Sequence, residues 1–317
     1  MKSPKLGLFA IIFTSVLVTT ACSNQSGGEA KGSTAGETVA VEHELGTTEI
    51  PETIEKVVTL ELGITETVTA LGVNPTGVAD DDKTERIAKS TYDKIEGYTS
   101  VGTRAQPNLE VIRSLNPDLI IADPSRHEAI YDELSDIAPT IAVEDDTADY
   151  NDVIASTETI GKALHKESES EDLIENNSEK ATELKENITV GDQTVLQAGY
   201  NEGNTFEVPT NSYFLPDFME EKLGIHYALE NAEETSEEMT IEQLLQINPD
   251  ILILTVSEDE GSSLSKLKED PLFSKLKAVE ADQVYEVPHN DWSRRRSIPA
   301  ANEVMEAMPE IFHEQTS

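Results

Sequence analysis

Guanidinium groups are the scarce chemistry in this chain, and they are unevenly placed. Of seven arginines, Arg104, Arg126, Arg294, Arg295 and Arg296 fall in three short segments of loop-like composition. These are Val101-Gly-Thr-Arg-Ala-Gln-Pro107, Asp123-Pro-Ser-Arg-His127 and Asp291-Trp-Ser-Arg-Arg-Arg-Ser297. Arginine holds carboxylates through paired, charge-assisted hydrogen bonds of about 1.5–3 kcal/mol each, where lysine offers only a point charge. A small polycarboxylate is the ligand that such a cluster fits. The plain alternative for the 294–296 run is a solvated patch that neutralises nearby acids. For Trp292, core packing stands level with ligand contact. His127 reads as a polar rim or packing residue, and Tyr213, in Thr210-Asn-Ser-Tyr213, is a weaker candidate for a cleft wall.

Other chemistries find less support. The chain has no Gly-x-Ser-x-Gly, no phosphate-cradling Gly-x4-Gly-Lys and no Gly-x-Gly-x-x-Gly. Its six histidines are scattered without metal-ligand spacing, so no metal site and no cofactor of its own is expected. Acidic residues number 62, so any pairing of carboxylates as acid and base would be arbitrary. The expectation is a protein that is not an enzyme. A formal charge of −39 excludes sequence-independent binding to phosphate backbones and attachment to an anionic bilayer through a basic surface.

The first segment offers a different anchor. Lys2 and Lys5 precede an uncharged apolar run from Leu6 to Val18, then Thr19, Thr20, Ala21 and Cys22. This is the layout of a secretory signal, and as a helix the run would rise about 20 Å, short of a bilayer core. Cys22 is the only cysteine, so it has no disulfide partner within the chain, and it stands where lipoprotein signals are cut. Residues 1–21 are expected to be a lipoprotein signal peptide, Cys22 the lipidated residue and 22–38 a Gly/Ser-rich tether. The protein then works outside the cytoplasm, lipid-anchored to the cell membrane.

Supporting elements follow from periodicity. A hairpin around Gly46, a buried strand at Val57–Leu60, a helix ended by Gly72 and a strand near Ala79 predict parallel pairing. Leu109-Glu-Val-Ile-Arg-Ser-Leu-Asn-Pro-Asp-Leu-Ile-Ile121 and Ile241-Glu-Gln-Leu-Leu-Gln-Ile-Asn-Pro-Asp-Ile-Leu-Ile253 match at nearly every apolar position. Each reads as a helix, a stop at the residue before proline, and a buried strand. Two such units mean two lobes of similar build: an N-terminal α/β lobe over 39–149 and a C-terminal one over 191–317, with a helical connector over 150–190. Loops at the carboxyl ends of strands line the crevice in such folds, which aims Arg126 and the 294–296 run at one cleft. Glu110 and Glu242 occupy the same place in the two repeats. They either complement a helix dipole or present a symmetric pair of acids to a partner with two basic sockets.

Over residues 39 to 312 the sequence resembles the substrate-binding lipoproteins of iron-siderophore ABC importers. Gly46-Thr-Thr-Glu-Ile-Pro51, Val57 to Asp82, Val101 to His127 and Tyr285 to Ser297 carry the likeness. Val-Gly-Thr-Arg-Ala-Gln-Pro, Asp-Pro-Ser-Arg-His and Trp-Ser-Arg-x-Arg are similar to its ferric citrate-binding branch. The resemblance implies an α/β fold of two Rossmann-like lobes joined by a long α-helix, with little closure. It implies that Arg104, Arg126, Arg294 and Arg296 occupy basic cleft positions, with Arg295 where the branch often has a small residue. Glu110 and Glu242 match acidic residues that dock on arginines of the permease dimer. The expected function is capture of ferric dicitrate, its iron carried within the chelate, by a monomer that delivers it to an ABC permease. The alternatives are a hydroxamate or catecholate siderophore, haem or cobalamin, or an adhesive or structural surface lipoprotein without a pocket.

Overall fold

The two Asn-Pro-Asp repeats build the same local structure twice. Helices Leu109–Leu115 and Ile241–Ile247 each end on an asparagine in the left-handed conformation, Asn116 at φ 50° and Asn248 at φ 49°. Asparagine tolerates that conformation better than most residues, and the proline after it bars another right-handed turn. The chain stops turning and enters a buried strand, Leu119–Ala122 in one copy and Ile251–Val256 in the other.

The computed structural model describes residues 38–312 except 190, 202–204, 232 and 258–260. The signal peptide over 1–21, the lipidation site Cys22 and all of the 22–38 tether but Thr38 lie outside the described residues. Strands β1 (Thr38–His43) and β2 (Gly46–Pro51) form the expected antiparallel hairpin. Then β3 (Val57–Thr59), β4 (Gly77–Val78), β5 (Thr99–Ser100), β6 (Leu119–Ala122) and β7 (Thr140–Ala142) make an all-parallel sheet in the order β5-β4-β3-β6-β7.

In the C-terminal lobe, β8 (Thr194–Tyr200), β12 (Ile251–Val256) and β13 (Val284–Pro288) are parallel. The short strands β9 (Phe206–Pro209) and β11 (Ser236–Met239) extend that sheet antiparallel, and β10 (His226–Tyr227) joins the start of β8. These three short strands are too brief for a two-residue period to register in the sequence. This lobe is therefore a mixed sheet rather than a purely parallel one.

Seven helices are numbered here: α1 (Leu62–Ala70), α2 (Leu109–Leu115), α3 (Tyr150–Ala163), α4 (Glu167–Asn187), α5 (Phe214–Glu221), α6 (Ile241–Ile247) and α7 (Ile298–Ile311). No helix among the described residues is long and apolar enough to cross a membrane. The connector is an antiparallel pair, α3 and α4, broken at His165, whose φ is 56°. Tyr150 on α3 donates to Asn177 on α4 at 2.5 Å, while at the other end Gly161 lies against Ser170. One end of α3 buries Tyr150 and Val153 in the C-terminal core beside Phe214 and Phe218. Its other end buries Ile160 and Ala163 in the N-terminal core with Val57 and Ile141. A single stiff element is thus a component of both cores.

A second tie crosses between the lobes. Arg295, just before α7, donates at 2.8 Å to Glu66 on α1, and both are buried. Ser297 donates to the same carboxylate at 2.5 Å, and Glu303 and Asp291 accept from the other end of the guanidinium. Arg295, expected at the ligand cleft, is instead consumed by this network. Removing one partner of a buried pair leaves the other charge without compensation. Arg295→Ala is expected to lower unfolding free energy by about 3–5 kcal/mol, read from urea denaturation followed by circular dichroism. A loss well under 1 kcal/mol would show that Glu66 is not relying on this cation.

Candidate functional site

Asp123 organises the N-terminal side of the site. It follows β6, and its Oδ1 accepts the backbone N–H of Arg126 at 2.9 Å, capping the helical turn Pro124–His127. Its Oδ2 accepts the N–H groups of Asp145 and Asp146 at 2.9 and 3.0 Å. One buried carboxylate therefore fixes both the Arg126 turn and the loop after β7. His127, fully buried, donates from Nε2 to the carbonyl of Arg104 at 2.7 Å and accepts the N–H of Asp123 at Nδ1. It does not reach the cleft: it clamps the Arg104 loop to the Arg126 turn. Burial holds its imidazole below the usual histidine range, against the hydrogen bond to the Arg104 carbonyl, and a neutral ring is what acceptance at Nδ1 requires.

From the other lobe, a π-helical turn over Asn290–Arg294 precedes Ser297, which caps α7 by accepting the N–H of Ala300 at 3.0 Å. The turn sends Trp292 inward. Its indole lies in the C-terminal core and its carbonyl accepts from Gln197 at 3.1 Å, so Trp292 packs and does not line the cleft. Arg294 and Arg296 point the opposite way.

Arg104, Arg126, Arg294, Arg296 and Tyr213 all line one cavity of about 450 Å³ between the lobes, within the usual range for a small-molecule site. Acids stand behind the guanidiniums. Glu61, with no exposed surface, lies 3.2 Å from Arg104 and 2.9 Å from Arg126. Asp81 accepts from Arg104 at 2.9 Å and also pairs with Arg86. Arg296 donates to the Asp145 carbonyl and to the Tyr213 hydroxyl, each at 2.5 Å, and lies 3.4 Å from the buried Asp145 carboxylate. α1 reaches this layer closely at Gly63, where a Cβ would collide with the Arg296 carbonyl and the Asp145 carboxylate. Burial, and then the charge of Asp145, push the Glu61 carboxyl up, with Arg104, Arg126 and Arg296 pulling it back. Burial raises Asp145 likewise, against Arg296.

Arg294 differs from the other three. It makes no hydrogen bond or ion pair among the described residues, and its buried Nε, unlike that of Arg126, has no carboxylate beside it. Burial, then the charges of Arg86 and Arg104, hold its guanidinium below the usual arginine range. A cation so placed calls for an anion from outside. Sequence reasoning missed the acids Glu61, Asp81, Asp145 and Asp146, since among 62 carboxylates none stands out. The Asp145-Asp146 doublet in the loop after β7 was the signal available. His289, another wall residue, follows the last strand in the same manner. Among the described residues, no group of three or more His, Cys, Asp or Glu is placed to hold a metal ion.

Two α/β lobes, a helical bridge and a cationic cavity between them define a solute-binding receptor. The chain belongs to the periplasmic binding protein family, whose sequence model matches residues 57–290. It is 40% identical over 314 residues to the putative ABC transporter substrate-binding lipoprotein YhfQ of Bacillus subtilis, covering 95% of each chain. It is 36% identical over 298 residues to the Fe(3+)-citrate-binding protein YfmC of the same organism, covering 93% of each. Staphylococcus aureus SirA, solved in complex with staphyloferrin B, shares the fold with a TM-score of 0.75 at 23% identity, over 86% of this chain and 98% of SirA. The protein is a substrate-binding protein and not an enzyme.

His289 provides a check on the cavity's field. Burial first, then Arg294 and Arg86, lower its pKa to about 4. The unfolded chain takes up that proton near 6.5, so the stability it contributes is present above 6.5 and lost as pH falls towards 4. In a proton NMR titration of the ligand-free protein, the His289 ring is expected to stay neutral at pH 6. A midpoint near 6.5 would mean that the cavity is open to water and weakly charged.

Proposed function

We propose that this protein captures a ferric chelate with free carboxylates, ferric dicitrate being the best fit, and hands it to an ABC permease. The observation that carries this reading is Arg294, a half-buried guanidinium without a partner, facing a cavity whose wall holds three more. Carboxylates of the chelate would supply its missing acceptors, while iron stays within the chelate and needs no ligand from the protein. Support for citrate also comes from the name of the relative YfmC. The proposed contacts are Arg104, Arg126, Arg294, Arg296 and Tyr213.

Docking and anchoring belong to the same proposal. Glu110 and Glu242 are both exposed, at matching positions in the first turns of α2 and α6. They are suited to meet two basic sockets of a permease dimer. Cys22 would carry the lipid that keeps the protein at the outer face of the cell membrane, where it acts as a monomer.

Isothermal titration calorimetry with ferric citrate, iron-free citrate and a neutral ferric hydroxamate tests the cargo. Ferric citrate is expected to bind, and Arg294→Ala to weaken it about 10- to 100-fold, the worth of one or two charge-assisted hydrogen bonds. An equal response in the mutant, or preference for the hydroxamate, would remove the citrate assignment. Separately, Glu110→Ala combined with Glu242→Ala is expected to stop radiolabelled iron uptake in cells while binding by the purified protein stays intact. Unchanged uptake would reject the docking roles.

A further inference from the structure

The guanidiniums of the cavity are served by carboxylates in two layers with different consequences. Glu61 and Asp145 lie behind, 0% and 2% exposed, and hold Arg126 and Arg296 in place. Asp146 stands in front. Its side chain is 28% exposed, lines the cavity, and bridges the two lobes by pairing with Arg126 on one side and with Arg296, at 3.3 Å, on the other. Its backbone is pinned by Asp123, so the side chain can leave both guanidiniums without moving the chain.

We propose that Asp146 is a resident competitor: its carboxylate occupies the place of a ligand carboxylate between Arg126 and Arg296 and must turn aside for an anionic chelate to bind. This rests on the reading that the cargo carries free carboxylates, and names the residue that sets how much negative charge the cargo must bring. The geometry separates it from a positioning role. Arg296 keeps its bonds to the Asp145 carbonyl, Tyr213 and the Ser293 carbonyl without Asp146, and Arg126 keeps its ion pair with Glu61, though it gives up the hydrogen bond to Asp146. Asp146 meets Nη2 of each guanidinium, sharing that of Arg296 with Asp145. Its charge also repels an arriving anion at close range, where a partly desolvated site screens little. A chelate with several carboxylates can displace it and gain the remaining guanidiniums. A weakly charged chelate gains too little to do so.

The test compares the unaltered protein with Asp146→Asn and Asp146→Ala, using calorimetry with ferric citrate and with a neutral ferric hydroxamate, and thermal melting as a check on folding. Both variants are expected to bind ferric citrate about tenfold more tightly, with no gain for the hydroxamate. A variant that binds where the unaltered protein does not is the same result in its extreme form. Unchanged or weaker ferric citrate binding by the variants, with the unaltered protein binding normally, overturns the competitor role and leaves the cargo assignment standing. Equal gains for both chelates overturn it as well, because widening of the cavity rather than charge would be the cause. Failure of all three proteins to bind ferric citrate removes the cargo assignment and this inference together.

Discussion

Burying a positive charge is permissible only where something negative shares the burial, and that constraint shapes the middle of this molecule. Four guanidiniums reach the cavity, and three are held from behind by acids with little or no access to water. The arrangement costs twice over, because both partners lose hydration. It is tolerated because the pairs are fixed by backbone: Asp123 orders two loops at once, and His127 joins a third. The result is a set of cations that do not need to reorganise when a ligand arrives.

The same logic separates neighbours in sequence. Arg294, Arg295 and Arg296 are consecutive, yet one is unpaired and faces the cavity, one is fully enclosed by Glu66, Asp291 and Glu303, and one is wired to Asp145 and Tyr213. The π-helical turn before them and the helix cap at Ser297 set which way each points. A triplet of identical residues thus does three jobs, and composition alone could not have sorted them.

How much the sequence revealed follows from this. The repeated Asn-Pro-Asp units were legible because proline and a left-handed asparagine act locally, and they predicted two lobes, two strands and two helices where the structure has them. The helical connector was legible from its apolar spacing, though not the reversal at His165. The convergence of Arg126, Arg294 and Arg296 was readable because arginine is rare here and loops after strands share one side of a sheet, while Arg104 joined them only through the family resemblance. Arg295 was misplaced, and Trp292 and His127 were left undecided between cleft and packing, because their neighbours come from distant segments: Glu66, Gln197 and the Arg104 carbonyl. The acids behind the arginines were hidden by their own abundance, and the short antiparallel strands by their length.

The helix that begins in one core and finishes in the other has a consequence for the molecule's divisibility. Tyr150 and Val153 are as much part of the second lobe as Ile160 and Ala163 are of the first, and the chain passes back along α4 before it enters β8. No single cut yields two self-sufficient fragments, since either piece would strip apolar side chains from its counterpart. Recombination with a relative must exchange the α3–α4 hairpin together with the surfaces it covers on both sides. The halves look like modules, but their cores share one helix and do not separate.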